Sequence, residues 1–466
     1  MLAFFKKYRV LLITLLALLP TLLPIICGER GYAAPESCCF LMHYNSNLPL
    51  SKLIFDPAKT DWGFYQGREL SYLLDALDAR FIGWCIKNSM SHFFSVSSML
   101  FLLGTILLQQ LMAAKVFPRL KWYIAALPSL MYGVAYVSRN TPFFRCSKPA
   151  VAFFATLLFF AVAMLMSRQK QFRLQRWENW AIFFSLVLMP LFDRQGFFVA
   201  GIFCCGAIAC WAAGCMPQIA EKFSLDDNYR AKAGFCSFCG FAGLLVSSLW
   251  NLWICPEIIH SINGYYPNFE YQQLPPGALW NIGGGLPFVF ENIGFLFISK
   301  VFLYINVLGL AVAGFLLFFA IKAYKGSRAP LILPLSFGAS LLAMVLIGNM
   351  MTARHIMILN EDVLFGGYFL VCLAVFSCFM VVLLAVSGKA AGRIIVCMLL
   401  SAIVSGIIIR SNLIAEPGAS TDHIYIYKLY RHRLVEFLND PDTPKVMPMP
   451  FSNSVLIDYF RGGPGL

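Results

Sequence analysis

Residues 149–190 read PAVAFFATLLFFAVAMLMSRQKQFRLQRWENWAIFFSLVLMP. Two apolar runs, 149–166 and 178–192, flank a short polar stretch that carries Arg168, Lys170, Arg173 and Arg176. The first run has no charged residue and comes close to the roughly 20 residues that a helix needs to cross the hydrocarbon core of a bilayer. Working outward, similar runs occur at 10–27, 92–114, 123–138, 196–214, 235–255, 301–321, 330–350, 363–387 and 394–409. The expectation is an all-α polytopic membrane protein with about eleven transmembrane helices. Composition agrees. Hydrophobic residues make up 59% and charged residues only 13%, against roughly 25% charged in a soluble domain. That is too little charge to cover a water-soluble particle. Aromatic residues reach 15%, with 44 Phe, which suits lipid-facing and interfacial surface.

The net charge is +13. Its cations fall mostly in short clusters between apolar runs, so they report topology and no nucleic-acid partner is expected. With the N-terminus in the cytoplasm, the cytoplasmic segments hold Lys6, Lys7, Arg9; Lys115, Arg119, Lys121; Arg168, Lys170, Arg173, Arg176; Lys222, Arg230, Lys232; Lys322, Lys325, Arg328; and Lys389, Arg393. The external cations are spread over far more chain. The expected location is the inner (plasma) membrane, with the C-terminus external and membrane lipids as partners. The run at 10–27 follows basic residues as a signal peptide does, but ten further spans favour a retained anchor. The expected organisation is a transmembrane domain, 1–409, with an external loop at 28–91 and an external tail at 410–466. In the tail, HIYIYKLYRHRLVEFL (423–438) reads as a basic, aromatic helix. A further external segment spans 256–300, and its end, 286–300, reads as an interfacial helix.

The 15 Cys show no metal or disulfide framework. Cys236 and Cys239 form a lone CxxC that reads as helix packing. Cys38, Cys39 and Cys85 share the first external loop and allow one disulfide there.

That loop contains TDWGFYQGRELSYLLDALDARFIGW, Thr60 to Trp84. Residues 68–83 read as an amphipathic juxtamembrane helix. Leu70, Leu73, Leu74, Leu77 and Phe81 form one apolar stripe, expected to lie on the membrane, while Asp75 and Asp78 are expected to face an external aqueous cleft. The same acids also read simply as a solvated face. Asp61 sits just before the helix in a Trp/Tyr-flanked turn containing Gly63 and Gly67, where it is either a general base for a sugar or lipid hydroxyl or an ordinary loop acid. Asp193-Arg194-Gln195 forms a hairpin tip after a short span, which places two ionised groups near the headgroups, paired or functional. Thr352-Ala-Arg354-His355 offers a guanidinium fork suited to phosphate, with His355 as a second donor. The aromatic stretch NGYYPNFEY, 263–271, with Tyr266, suits either sugar stacking or an interfacial belt. Asp226-Asp227 reads as a solvated loop.

The architecture resembles the GT-C class of polytopic glycosyltransferases, which includes protein O-mannosyltransferases and aminoarabinose transferases. YQGRELSYLLDALDARF resembles the Y-R-P-L stretch and following helix found after the catalytic acid in some of those families, with Arg68 in the Arg position and Glu69 where they carry Pro. TARHIMI resembles a late-loop R-Y/H-x-L-P segment, without its Pro. Asp61 stands alone where an adjacent acidic pair is usual. The resemblance implies a polyprenyl-phosphate-linked sugar as donor, a lipid, glycan or protein acceptor, and transfer on the external face. It makes Asp61 the base, with Glu69 second. Asp193 would orient the acceptor or hold a divalent metal. Arg68, Arg194, Arg354 and His355 would hold the donor phosphate, and Asp75, Asp78 and Tyr266 would touch substrate. Two rival readings stand beside it: a transporter or flippase of lipid-linked glycans, and a non-catalytic polysaccharide-assembly protein.

Overall fold

The computed structural model describes residues 2–26, 41, 43–56, 64–65, 67–90, 94–134, 146–168, 171–269, 361–415 and 438–439. Within them the chain is helical apart from one two-residue parallel bridge. Each expected span that falls on described residues is a helix. They are α1 (Leu2–Ile26), α4 (Val96–Val116), α5 (Trp122–Val134), α6 (Ser147–Ser167), α7 (Trp177–Phe192), α8 (Arg194–Cys215), α10 (Asp227–Leu249), α12 (Glu361–Val386) and α13 (Lys389–Ala415). Shorter helices are α2 (Leu50–Ile54), α3 (Glu69–Lys87), α9 (Pro217–Phe223) and α11 (Cys255–Asn263). The expected spans at 301–321 and 330–350, the interfacial helix at 286–300 and nearly all of the tail helix lie outside the described residues. So do Asp61, Arg354, His355, Cys38 and Cys39. Among the described residues, 4 helices are long and apolar enough to cross a membrane, with shorter apolar helices at Tyr8–Leu22, Trp177–Phe192 and Leu373–Val386.

α6 is the hub. It packs on α4, α7 and α12, and Ala150, Val151, Ala155, Leu158, Phe159 and Val162 are fully buried. Four of those six are small or β-branched, which lets neighbouring backbones approach. α8 and α10 form the most extensive pair, and α7 bridges them to α6.

α10 does not stop where the apolar run ends. It passes through a π-helical turn at Trp250–Ile254 into α11, giving 37 continuous helical residues, Asp227–Asn263. At 1.5 Å per residue this is about 55 Å, nearly twice the hydrocarbon thickness. The start of the segment expected as an external loop from 256 is therefore a helical extension. Pro256 explains the local change. It brings no N–H to the helix ladder, and the wider turn just before it absorbs the missing bond. The helix closes at Gly264, whose N–H bonds the His260 carbonyl at 2.8 Å.

The largest correction concerns α3. Its buried residues are Glu69, Ser71, Tyr72, Asp75, Ala76, Asp78, Ala79, Ile82, Gly83, Cys85 and Ile86. Leu77, Phe81 and Trp84 are exposed, with Phe81 stacked on Trp84. The acidic face packs against the bundle, and of the apolar stripe Leu77 and Phe81 face outward while Leu70 and Leu74 pack on the core. The two acids are not solvated: Asp75 is 6% exposed and Asp78 4%. Cys85 is a buried free thiol and makes no disulfide. Cys236 and Cys239 are also free and buried, in keeping with packing. Asp226 caps α10 through the Tyr229 N–H, while Asp227 is exposed and paired with Arg230.

Candidate functional site

The start of α3 joins three elements. Gly67 has φ +64°, a conformation that L side chains rarely adopt, and a Cβ there would meet the Asn251 side chain at 2.5 Å. That turn is followed directly by Arg68 and Glu69, each anchored to a different element. Arg68 Nε lies 2.7 Å from Asp193 Oδ2 at the α7–α8 hairpin. Glu69, 6% exposed, accepts the Trp250 indole N–H at 3.1 Å and the Cys255 thiol at 3.3 Å. Both donors border the π-helical turn, a feature that often marks functional positions.

Asp193 is 1% exposed and fully engaged. Lys148 Nζ, in the first turn of α6, donates to Oδ1 at 2.7 Å, and the Gln195 N–H donates to the same oxygen at 2.9 Å. The residue is thus both the C-cap of α7 and the N-cap of α8. Burial by itself would raise its carboxyl, but the Arg68 and Lys148 cations outweigh burial and hold it well below the usual carboxylate range. Held ionised by its partners, Asp193 braces the two cations and the α7–α8 hairpin. Two cations already occupy its oxygens, which disfavours a metal there. Gln195 is 4% exposed, and its side-chain amide has no hydrogen-bond partner among the described residues. Of Arg194, only its place as the first residue of α8 is described.

Asp75 and Asp78 tie helix starts together. Asp75 accepts the Cys146 N–H at 2.8 Å ahead of α6 and the Ser71 hydroxyl at 3.1 Å. Asp78 accepts the Ser95 hydroxyl at 2.5 Å, at the N-cap of α4, and the Ser97 N–H at 3.2 Å in its first turn. The acids satisfy amide groups that a helix start leaves open, so the expected substrate contacts give way to positioning roles. Burial, with Asp75 nearby, pushes the Cys146 thiol well above its usual value and leaves it a poor nucleophile.

Burial also pushes Asp78 up to about 6, against hydrogen bonds from Ser95 and Ser97 that lower it and a contribution from Asp75 that raises it. A carboxyl raised on folding favours the folded state most below its unfolded value, roughly 4, and that contribution is lost as pH rises through about 6. Asp78→Asn is expected to flatten the pH dependence of thermal stability between about pH 4 and 7. Melting of the detergent-solubilised protein across that range checks this. A mutant and parent that differ by the same amount at every pH would disprove the assignment.

Tyr266 stands apart from this cluster. It is 56% exposed, stacked on His260 with centroids 4.2 Å apart, and its hydroxyl donates to Glu257 at 3.2 Å. The nearby Tyr265 hydroxyl reaches Asp56 at 2.8 Å, and β1 (Phe64–Tyr65) pairs with β2 (Asn268–Phe269). These contacts join the 28–91 segment to the 256–300 segment.

The described geometry therefore gathers Arg68, Glu69 and Asp193, all singled out in the sequence, with Lys148, Trp250 and Cys255, which were not. Lys148 carried a weak signal, a cation three residues after Arg145 at the head of an uncharged span, which reads as an interfacial anchor. Among the described residues no three His, Cys, Asp or Glu side chains converge to hold a metal. No family model, curated protein or solved structure matches this chain.

Proposed function

We propose that this chain is a membrane glycosyltransferase of GT-C type that takes a sugar from a polyprenyl-phosphate donor and passes it to a lipid, glycan or protein acceptor at the external face of the plasma membrane. One observation carries the reading: Arg68 and Lys148 are held side by side on Asp193 at the start of α8, beside the buried carboxylate of Glu69. Arg68, Lys148 and Asp193 taken together leave one positive charge, while Glu69 is turned onto Trp250 and Cys255. A helix N-terminus adds partial positive charge to the three. Such a place suits a departing phosphate, whose growing negative charge needs pre-set donors. In this scheme Asp193 is a positioning residue, Arg68 and Lys148 take the phosphate, and the base is Asp61, with Glu69 as the second choice. The full topology of about eleven spans belongs to the same proposal.

Arg68→Lys separates recognition from folding, because it keeps the charge beside Asp193 and loses the planar fork. It is expected to lower the glycosylated product about 100-fold at an unchanged protein level, read by glycan and lipid analysis of cells. Asp61→Asn is expected to abolish the product. If both variants give the parental profile, the proposal fails.

A second reading is favoured by the burial of Glu69 and Asp193, since ionisable groups sequestered in membrane proteins often mark transport pathways. It makes the chain a transporter of lipid-linked glycans. Proteoliposomes loaded with labelled lipid-linked sugar distinguish the two. Label moved to an acceptor supports the enzyme, and intact donor moved across the bilayer supports transport.

A further inference from the structure

At the opposite end of the bundle, a shallow open cleft lies between α1, α4 and α5. Arg9 and Val10 line one side, Phe117 and Leu120 the elbow between α4 and α5, and Trp122 the start of α5. Gln110 lies in the wall and is buried, with its amide N–H groups on the Ala125 carbonyl at 3.3 Å and the Ser129 hydroxyl at 2.7 Å. That leaves Arg9 as the cation of the lining. Around the mouth, Lys115, Arg119, Lys121, Trp122 and Tyr123 are exposed, with Lys121 Nζ 5.8 Å from the Tyr123 ring centre.

The charge there is one-sided by sequence. No acidic residue precedes Glu29, and none lies between Asp78 and Glu178. The three elements that build the cleft therefore bring cations and no Asp or Glu. Beyond Arg9 and Gln110 the lining side chains are mainly apolar, among them Val10, Ile13, Phe117 and Leu120. Leu16, two helical turns past Arg9 on the same side of α1, is 55% exposed. A fixed cation at a polar mouth, aromatic groups beside it and an apolar face running away from it are complementary to a molecule with one negative head and a hydrocarbon tail.

We propose that this cleft binds an anionic phospholipid, with the phosphate diester at Arg9 and Lys121 and an acyl chain along α1 past Leu16. The proposal does not depend on glycosyl transfer. It needs only that this end of the bundle meets a leaflet surface, as its basic residues suggest.

The test uses the full-length protein in detergent and native mass spectrometry with phosphatidylglycerol and phosphatidylcholine. The parent is expected to retain phosphatidylglycerol in preference to phosphatidylcholine. Arg9→Ala is expected to lower retention about fivefold, and Arg9→Lys to restore most of it. Ala114→Phe fills the lined space without touching the cation and is expected to lower retention too, which keeps the idea testable should Arg9→Ala not fold. Equal retention of both lipids overturns the proposal, as does parental retention by both Arg9→Ala and Ala114→Phe. Displacement of the lipid by millimolar inorganic phosphate also overturns it, because the site would then recognise phosphate and not a lipid.

Discussion

Asp193→Ala is expected to destabilise the protein by about 3–5 kcal/mol, the usual result of removing one partner from a buried ion pair. Arg68 and Lys148 would be left facing each other with side chains only 16% and 14% exposed. The N-cap of α8 goes as well, which by itself costs about 1 kcal/mol. Asp193→Asn is expected to do less harm, because its amide oxygen still accepts the Gln195 N–H, but it cannot balance two cations. The pH dependence has a definite sign. The Asp193 carboxyl lies below its ordinary value in the folded protein, so its contribution is complete above roughly pH 4 and is lost as acid titrates the folded carboxyl. The parent should therefore lose stability on acidification below about pH 4, a loss that Asp193→Ala lacks. Detergent melts at pH 7 and at pH 3 measure both effects. A variant that melts with the parent at pH 7 would show that the ion cluster does not hold the hairpin.

The Asp193 tip was legible because an ionised pair beside a short apolar run has few places to go. Arg68 and Glu69 were singled out by a motif resemblance at the start of the loop helix, a local reading. It failed on α3, where a helical wheel says which residues share a face but not what that face meets. In water an apolar stripe seeks the core. Beside lipid the stripe is already at home outside, and the polar face gains most from burial, because its hydrogen bonds find partners only within the protein. Asp75 and Asp78 followed that rule, turning inward onto the starts of α6 and α4. Those partners come from 71 and 17 to 19 residues away, a separation that no local pattern encodes. Glu69 met its partners across a still longer gap, at Trp250 and Cys255. The apolar helices themselves were easy to read, since their length and hydropathy are local properties.

Close helix approach was invisible for the same reason, and it carries the other large expected effect. A Cβ on Gly133 in α5 would overlap the Ala17 carbonyl oxygen and stand 2.8 Å from its carbon in α1. Ala17 is fully buried, as is Tyr132 beside the glycine. Gly133→Ala is expected to destabilise by about 3 kcal/mol, the upper end of overpacking in a dense interior, and Gly133→Leu to prevent stable assembly. Both atoms in the way belong to backbone, so no rotamer change relieves the contact. α1 must move away from α5, and with it the packing of α1 on α4. Ala17→Gly should not rescue Gly133→Ala, since it removes a methyl group and leaves the obstructing carbonyl. Gly201→Ala in α8 is the matched control, because a Cβ there meets nothing within 4 Å. It is expected to change stability by less than about 1 kcal/mol, with helix propensity in its favour. Melting curves of the three variants in one detergent decide the matter. If Gly133→Ala and Gly201→Ala melt alike, α1 and α5 do not approach through this glycine. If Ala17→Gly restores Gly133→Ala, the obstruction lies in side-chain packing and not in the backbone.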